Sequence, residues 1–398
     1  MFLESTISDI ENYPFLNPFR FENDPSKKYW HISTLESLLE ENWNSIEEGV
    51  TENREYLAAR EKIFSSSVFQ YFTDQKNRII QESLETDNSF QILGAYTCLL
   101  DSIVQTAFDY SFIDIPLIKE RLLEELNHEL NYKQKNLPEK KEKLKLLKEQ
   151  ILEMEKNLES GSSSSREYSY FQEVESQHES ETRVLEERIE ELQQLIPQIQ
   201  EFTNDKNFVL NHLVIFARGG YGRAELGLSS DRDLGYCLDT NRLNNGEAEM
   251  LRQLIVHIEN LLRNSGVETA HQYFEIDEDL SRFDEVNTLH TIPSILESRV
   301  LLGSESLATN LKNRFFQVIT FEPYVLNLVR SFSESKEPEL NRMDLKMDYG
   351  GLRSLQIPLW ITAATFGIFP SQTADLLAFL IQKHLLSHRQ ALKLCQAL

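Results

Sequence analysis

Cysteine, positive charge and long apolar runs are all scarce in this chain of 398 residues. Its 3 cysteines, Cys98, Cys237 and Cys395, lie far apart and form no C-x-x-C pair. They fit a reducing compartment and supply no zinc site. Lys plus Arg number 40 against 64 Asp plus Glu, a formal charge of −24. A chain this acidic repels nucleic-acid phosphate, which argues against a DNA or tRNA partner and leaves proteins and small molecules. No apolar run approaches the ~20 residues that span a bilayer, so no membrane partner is expected. The opening MFLESTISDIENYPF carries acids where a signal peptide has basic residues, and no apolar segment follows. The expectation is a soluble cytoplasmic protein. With 40% hydrophobic and 26% charged residues the chain is globular, and its length predicts two to four structural units.

Residues 1–116 read as a helical N-terminal region. Leu35, Leu38, Leu39, Trp43 and Ile46 fall at helical spacing, a second amphipathic stretch runs from Ile63 to Leu84, and a more apolar one from Phe90 to Phe108. Over residues 117–200 charge rises and glycine almost vanishes. Leu144, Leu147, Ile151, Met154 and Leu158 form a heptad-like seam, and Leu185, Ile189, Leu192, Ile196 and Ile199 a second one beyond the flexible Gly161–Ser165 run. This predicts an antiparallel helical hairpin, or coiled coil, in which Pro138 and Pro197 kink or end the arms. It offers a surface for a partner protein or a second copy of the chain.

From about residue 208 the pattern changes. Phe208–Phe216 and Leu234–Leu238 read as strands, Glu247–Asn264 as an amphipathic helix closed by Gly266, and Val267–Phe274 as a third strand. Beyond 291 the chain reads as helical again, over Ile292–Leu302, Leu307–Val318, Tyr324–Phe332, Leu352–Phe366, Thr373–Leu386 and Gln390–Leu398. The expected fold class is α+β: a small mixed sheet flanked by helices over 201–290, and a helical domain over 291–398.

The chemistry lies in the run ARGGYGRAELGLSSDRDL, residues 217–234. A strand leads into Gly219-Gly220, whose missing side chains let backbone N–H groups approach a polyphosphate. A dozen residues later Asp231 and Asp233 stand two apart, where a strand aims both at one face. Two hard oxygen donors on one face suit Mg²⁺, with water and phosphate oxygens completing its shell. A glycine cradle beside such a pair is the layout of metal-dependent nucleotidyl transfer. The run is neither a dinucleotide fingerprint nor a P-loop, because its glycines read G-G-x-G and no G-K-[ST] follows.

These residues resemble the nucleotidyltransferase motif of bacterial uridylyltransferases that modify the nitrogen-signalling protein PII. Two later segments resemble the same family in the same order. One is Glu297-Ser298-Arg299-Val300-Leu301-Leu302-Gly303, similar to a family helix after the catalytic sheet. The other is Asp344-Leu345-Lys346 with Gly350-Gly351-Leu352-Arg353-Ser354-Leu355-Gln356 and Trp360. The resemblance implies that Gly219 and Gly220 bind the triphosphate of an NTP, UTP in the family's manner, that Asp231 and Asp233 hold Mg²⁺ (or Mn²⁺), and that Ser230 adds a hydroxyl to a phosphate. Arg223 and Arg218 are candidates for phosphate charge. Glu268 is the candidate third carboxylate, as base for the incoming hydroxyl, with Glu275 and Asp277 as rivals; His271 matches a family histidine. The implied acceptor is a PII-like protein. Lys346 and Arg353 flank the Gly350-Gly351 turn, where a helix start favours anions.

There are departures. Ser354 replaces the family's aspartate, and Ala270-His271-Gln272-Tyr273-Phe274 lacks its glycine and arginine. No phosphohydrolase or sensing segment follows, so uridylyl removal and glutamine sensing are expected to be absent, or the chain is a fragment. The alternatives to a protein-modifying transferase are an inactive nucleotidyltransferase-like scaffold and a small-molecule adenylylating enzyme.

Overall fold

The computed structural model describes residues 35, 37–39, 41–42, 53–85, 89–159, 165–277, 280, 291–318, 321–333, 352–368 and 372–397. The expectations for Trp43, Ile46, Gly161, Asp344, Lys346, Gly350 and Gly351, and for the side chains of Arg353 and Ser354, lie outside the described residues. In chain order the elements are α1 (Asn53–Glu85), α2 (Ser89–Ile113), α3 (Ile115–Glu159), α4 (Ser165–Glu201), α5 (Lys206–His212), β1 (Leu213–Ala217) and the single turn α6 (Gly219–Gly222). Then come β2 (Arg232–Leu238), α7 (Asn245–Asn264), β3 (Thr269–Glu275), α8 (Thr291–Leu296), β4 (Arg299–Gly303), α9 (Glu305–Val318) and α10 (Phe321–Ser333). Last are α11 (Leu352–Phe366), α12 (Thr373–Gln382) and α13 (His388–Ala397). The architecture is α+β, a small mixed sheet among many helices. No helix among the described residues is long and apolar enough to cross a membrane.

The chain divides into two compact units. One holds Asp114–Asn204 and Leu243–Gln253. Here α3 and α4 run side by side and antiparallel. The ion pairs show the direction: Glu129 meets Arg188, Lys140 and Lys141 meet Glu181 and Glu186, and Lys148 meets Glu179. Between the arms Ile151, Ile189, Leu192, Ile196 and Ile199 are buried, which is where the seam periodicity puts them. Lys119 closes the end of α4 by donating to the Gln200 and Phe202 carbonyls at 2.7 and 2.9 Å. Both arms run through their prolines, so of the two expected outcomes, a kink or an end, neither arm ends there. Pro138 and Pro197 sit on exposed faces, so the carbonyl that each leaves without a donor can reach water.

The other unit holds the sheet, in the order β3-β2-β1-β4. β1 pairs antiparallel with β2 and β4, and β2 pairs parallel with β3, a pairing that needs a crossover of the kind α7 provides. One sheet face presents Val214, Phe216, Cys237 and Phe274 to a core completed by Ile295, Phe315, Trp360 and Leu377. Behind the opposite face Tyr236 donates to the buried carboxylate of Glu259.

Two segments differ from expectation. The stretch 208–216 is not one strand: α5 occupies Lys206–His212 and β1 starts at Leu213. Asp205 caps α5 by accepting from Asn207 N–H at 2.9 Å, and such a cap favours helix over strand. The segment 292–302 is not one helix either. It breaks after Leu296, and Arg299–Gly303 pairs with β1 as the fourth strand, because the second edge of β1 needs a backbone partner.

Truncating Leu192, which is fully buried between the arms, to alanine is expected to cost about 2–5 kcal/mol. Lys140→Ala, which removes one half-exposed ion pair, is expected to leave the midpoint of guanidinium denaturation almost unmoved. Circular dichroism on both variants checks the contrast.

Candidate active site

β1 is buried along its whole length and delivers the chain to a tight bend. Arg218 is still extended, and Gly219 then turns to φ +54°, a region that glycine enters without steric cost. The hydrogen bonds of the turn begin with Gly222 N–H to the Arg218 carbonyl (2.9 Å) and Arg223 N–H to the Gly219 carbonyl (3.0 Å). The N–H groups of Gly219, Gly220 and Tyr221 therefore belong to the open end of the turn. Gly222 sets its depth: a Cβ there would lie 2.8 Å from the Ala217 carbonyl oxygen and 3.1 Å from that of Glu297.

β2 brings the acidic residue to this bend. The Asp233 carbonyl accepts from Arg218 N–H at 2.9 Å. Its carboxylate packs on the bend so closely that a Cβ on Gly219 would lie 3.2 Å from Asp233 Oδ2. Asp231 is exposed, one residue before the strand. Between the two, Arg232 points to the other face. It is buried, donating to the Tyr96 hydroxyl at 2.9 and 3.2 Å and to the Glu268 carbonyl at 3.1 Å. That opposition is the strand alternation on which a shared face for Asp231 and Asp233 rests.

Asp233 stands opposite Ala270 in the parallel ladder and Arg232 opposite Thr269. One step further back, Asp231 corresponds to Glu268, which is exposed. Ser230 is exposed too, with its hydroxyl oxygen 3.1 Å from where a Cβ on Gly227 would lie. Among the described residues no three His, Cys, Asp or Glu side chains are gathered to hold a metal ion. Asp231, Asp233 and Glu268 thus form no ready three-carboxylate cage. Two carboxylates, one of them seated in space that a side chain at 219 would fill, still fit a cation that takes its other ligands from phosphate and water. His271 lies on the opposite face, its Nδ1 3.2 Å from Glu259 Oε2. Glu275 closes β3, accepting from the Tyr273 hydroxyl at 2.8 Å, and Asp277 accepts from Thr240 Oγ1 at 2.5 Å.

The two arginines at the bend are engaged within the protein. Arg218 donates from Nε to the Leu234 carbonyl (3.1 Å) and from Nη1 to Gln272 Oε1 (2.6 Å), while Nη2 lies 3.9 Å from Asp233 Oδ1. Burial pulls its pKa below the ordinary arginine value, and Asp233 opposes this. Arg223 is buried between two carboxylates, Nε to Glu225 Oε2 at 2.7 Å and Nη1 to Glu297 Oε2 at 2.8 Å. Burial works against its charge, but the two acids more than reverse that and hold its pKa above the ordinary range. Burial pushes the Glu297 carboxyl up, while Arg223 and a hydrogen bond from Trp360 pull it down. A cavity of about 10 Å³, lined by these residues with Gln356, Gln372 and Thr373, has room for about one water molecule. Sequence alone does not single out Glu225, Glu297, Gln356 or Trp360 as site residues. All four stand in the motifs that carried the resemblance, but nothing in their spacing says that they meet.

No family model matches the chain. It is similar to several proteins named bifunctional uridylyltransferase/uridylyl-removing enzyme. That of Zymomonas mobilis subsp. mobilis is 30% identical over 165 residues, 39% of this chain and 17% of the relative. That of Azospirillum brasilense is 31% identical over 160 residues, 37% of this chain and 16% of the relative. That of Ectopseudomonas mendocina is 29% identical over 193 residues, 45% and 20% respectively. The matched stretch thus spans between 16% and 20% of the length of these relatives. Over about two fifths of its length the chain carries a region resembling a PII-type uridylyltransferase.

Removing one partner of the buried Arg223–Glu297 pair strands the other. Glu297→Ala is expected to lose about 3–5 kcal/mol of stability in denaturant titrations. Arg223→Lys is expected to lose stability too, because one ammonium cannot reproduce a fork that serves two carboxylates. Wild-type stability in both variants would show that the pair does not hold the bend.

Proposed function

We propose that the chain is a metal-dependent nucleotidyltransferase, which transfers a nucleoside monophosphate, UMP from UTP, to a hydroxyl of a PII-like protein and releases pyrophosphate. The observation that carries this reading is the Asp233 carboxylate seated on the Gly219 bend; the names of the relatives support it. In this reading residues 201–290 do the chemistry and 291–398 close the nucleotide site. The hairpin of 117–200, acting as a coiled coil, serves a partner or a second copy, and the protein works in the cytoplasm.

Asp231 and Asp233 hold Mg²⁺ or Mn²⁺, which supplies charge to the α-phosphate and to the departing pyrophosphate. The N–H groups of Gly219 and Gly220 take triphosphate oxygens, with Ser230 as a further donor. Glu268, next to Asp231 in register, receives the proton of the acceptor hydroxyl. The acceptor oxygen then bonds to the α-phosphorus as the bond to the β-phosphate oxygen breaks. A second reading, a nucleotidyltransferase-like scaffold without activity, draws on one observation: Arg218 and Arg223 are both engaged inside the protein.

Labelled UTP with Mg²⁺ or Mn²⁺ is expected to mark a PII-type acceptor, and Asp233→Asn to reduce labelling by at least 10²-fold with an unchanged melting curve. Transfer of no nucleotide from any of the four NTPs would overturn the transferase reading. Calorimetry that then finds no binding of metal–nucleotide would leave the scaffold.

A further inference from the structure

Arg218 has a place that the proposed chemistry does not use. Its backbone ends β1, and its side chain crosses the sheet on the Asp233 face to the Leu234 carbonyl of β2 and the Gln272 side chain of β3. Only 7% of the residue is exposed. The third edge of the guanidinium faces Asp233 at 3.9 Å, beyond hydrogen-bond length. What passes between them is charge, in a partly dry setting where charge carries further than in water.

We propose that Arg218 is a positioning residue that makes the site select a metal–nucleotide complex over a bare metal ion. This deepens the transferase reading and rests on it. A fixed positive charge beside Asp233 occupies part of the field that would otherwise draw in a divalent cation. A lone cation meets repulsion from the guanidinium. A cation that arrives with a triphosphate brings net negative charge, and the same guanidinium then attracts the incoming unit. The two neutral acceptors, Leu234 O and Gln272 Oε1, hold the guanidinium in place without cancelling its charge, as a carboxylate in the position of Gln272 would.

The sign of the effect separates this role from a structural one. Loss of a merely structural arginine loosens the bend and weakens metal binding. Loss of a selecting charge strengthens the binding of metal alone. Mn²⁺ binding, read by electron paramagnetic resonance without nucleotide, is expected to tighten about tenfold or more in Arg218→Gln, while Mn²⁺–UTP binding, read by calorimetry, weakens. Gln272→Glu leaves residue 218 in place and neutralises it. It is expected to shift both affinities in the same directions, which keeps the test informative if Arg218→Gln fails to fold. Affinity for Mn²⁺ alone that is unchanged or weaker in the folded variants, with Mn²⁺–UTP still bound by wild type, overturns this inference and spares the transferase reading. Wild type and variants that bind neither Mn²⁺ nor Mn²⁺–UTP overturn both.

Discussion

The geometry of the bend depends on one buried cation. Arg223 follows Gly222 directly and is gripped by Glu225 on the way to β2 and by Glu297 in the turn between α8 and β4. Trp360 of α11 also reaches Glu297. One guanidinium therefore ties together the end of the bend, the loop toward the aspartates, the entry to the edge strand and a helix of the core. A buried pair of this kind adds little net stability over a well-packed apolar substitute, but it is costly to break from one side. Two carboxylates about one guanidinium also leave a net negative site in the interior. Burial raises the pKa of Glu297, and the nearby Glu225 charge adds to the rise; a water-sized cavity beside it gives the remaining lone pairs somewhere to turn.

The second constraint is the alternation of β2. Arg232 is drawn to the far face by Tyr96 and lies 5.4 Å from the centre of the Phe72 ring. Burying a long cationic side chain on one side fixes the strand's rotation, since a slip by one residue would put Asp233 among the aromatic rings and Arg232 on the bend. The N-terminal helices α1 and α2 thus have a part in the site although no chemistry reads from their sequence. Arg299, hydrogen-bonded through both terminal nitrogens to Asp101 of α2 at 2.8 and 3.1 Å, makes the same connection from β4.

Much of this was legible in the chain. The seam of the hairpin, the period of α7, the strands β2 and β3 and the bounds of α11 follow from spacing alone, because there burial and periodicity agree. The glycine pair and the Asp-x-Asp were legible for the same reason: bend and strand are local. The errors came where local pattern was silent and a distant partner decided. The apolar run 208–216 satisfies helix and strand alike, and a capping aspartate three residues upstream settles it as helix first. Arg299–Gly303 carries helical spacing from its left neighbour and becomes a strand because β1 has an empty edge. Sequence makes Arg223 a candidate for phosphate charge; it does not place Glu297, 74 residues on, beside it.

For the proposed transferase, an acidic protein with an acidic substrate, the attraction has to be local. At physiological ionic strength, charges separated by more than about 8 Å across water are largely screened, so the formal −24 governs approach far more than binding. In that reading the balance within the site is set by the backbone N–H groups of the Gly219 bend, the carboxylates of Asp231 and Asp233, and Arg218. The acid excess still acts on the encounter, because the field of the whole surface opposes a free triphosphate more than one already neutralised by a divalent ion. Under the proposed role of Arg218, long-range field and local guanidinium would favour the same species, a nucleotide with its metal.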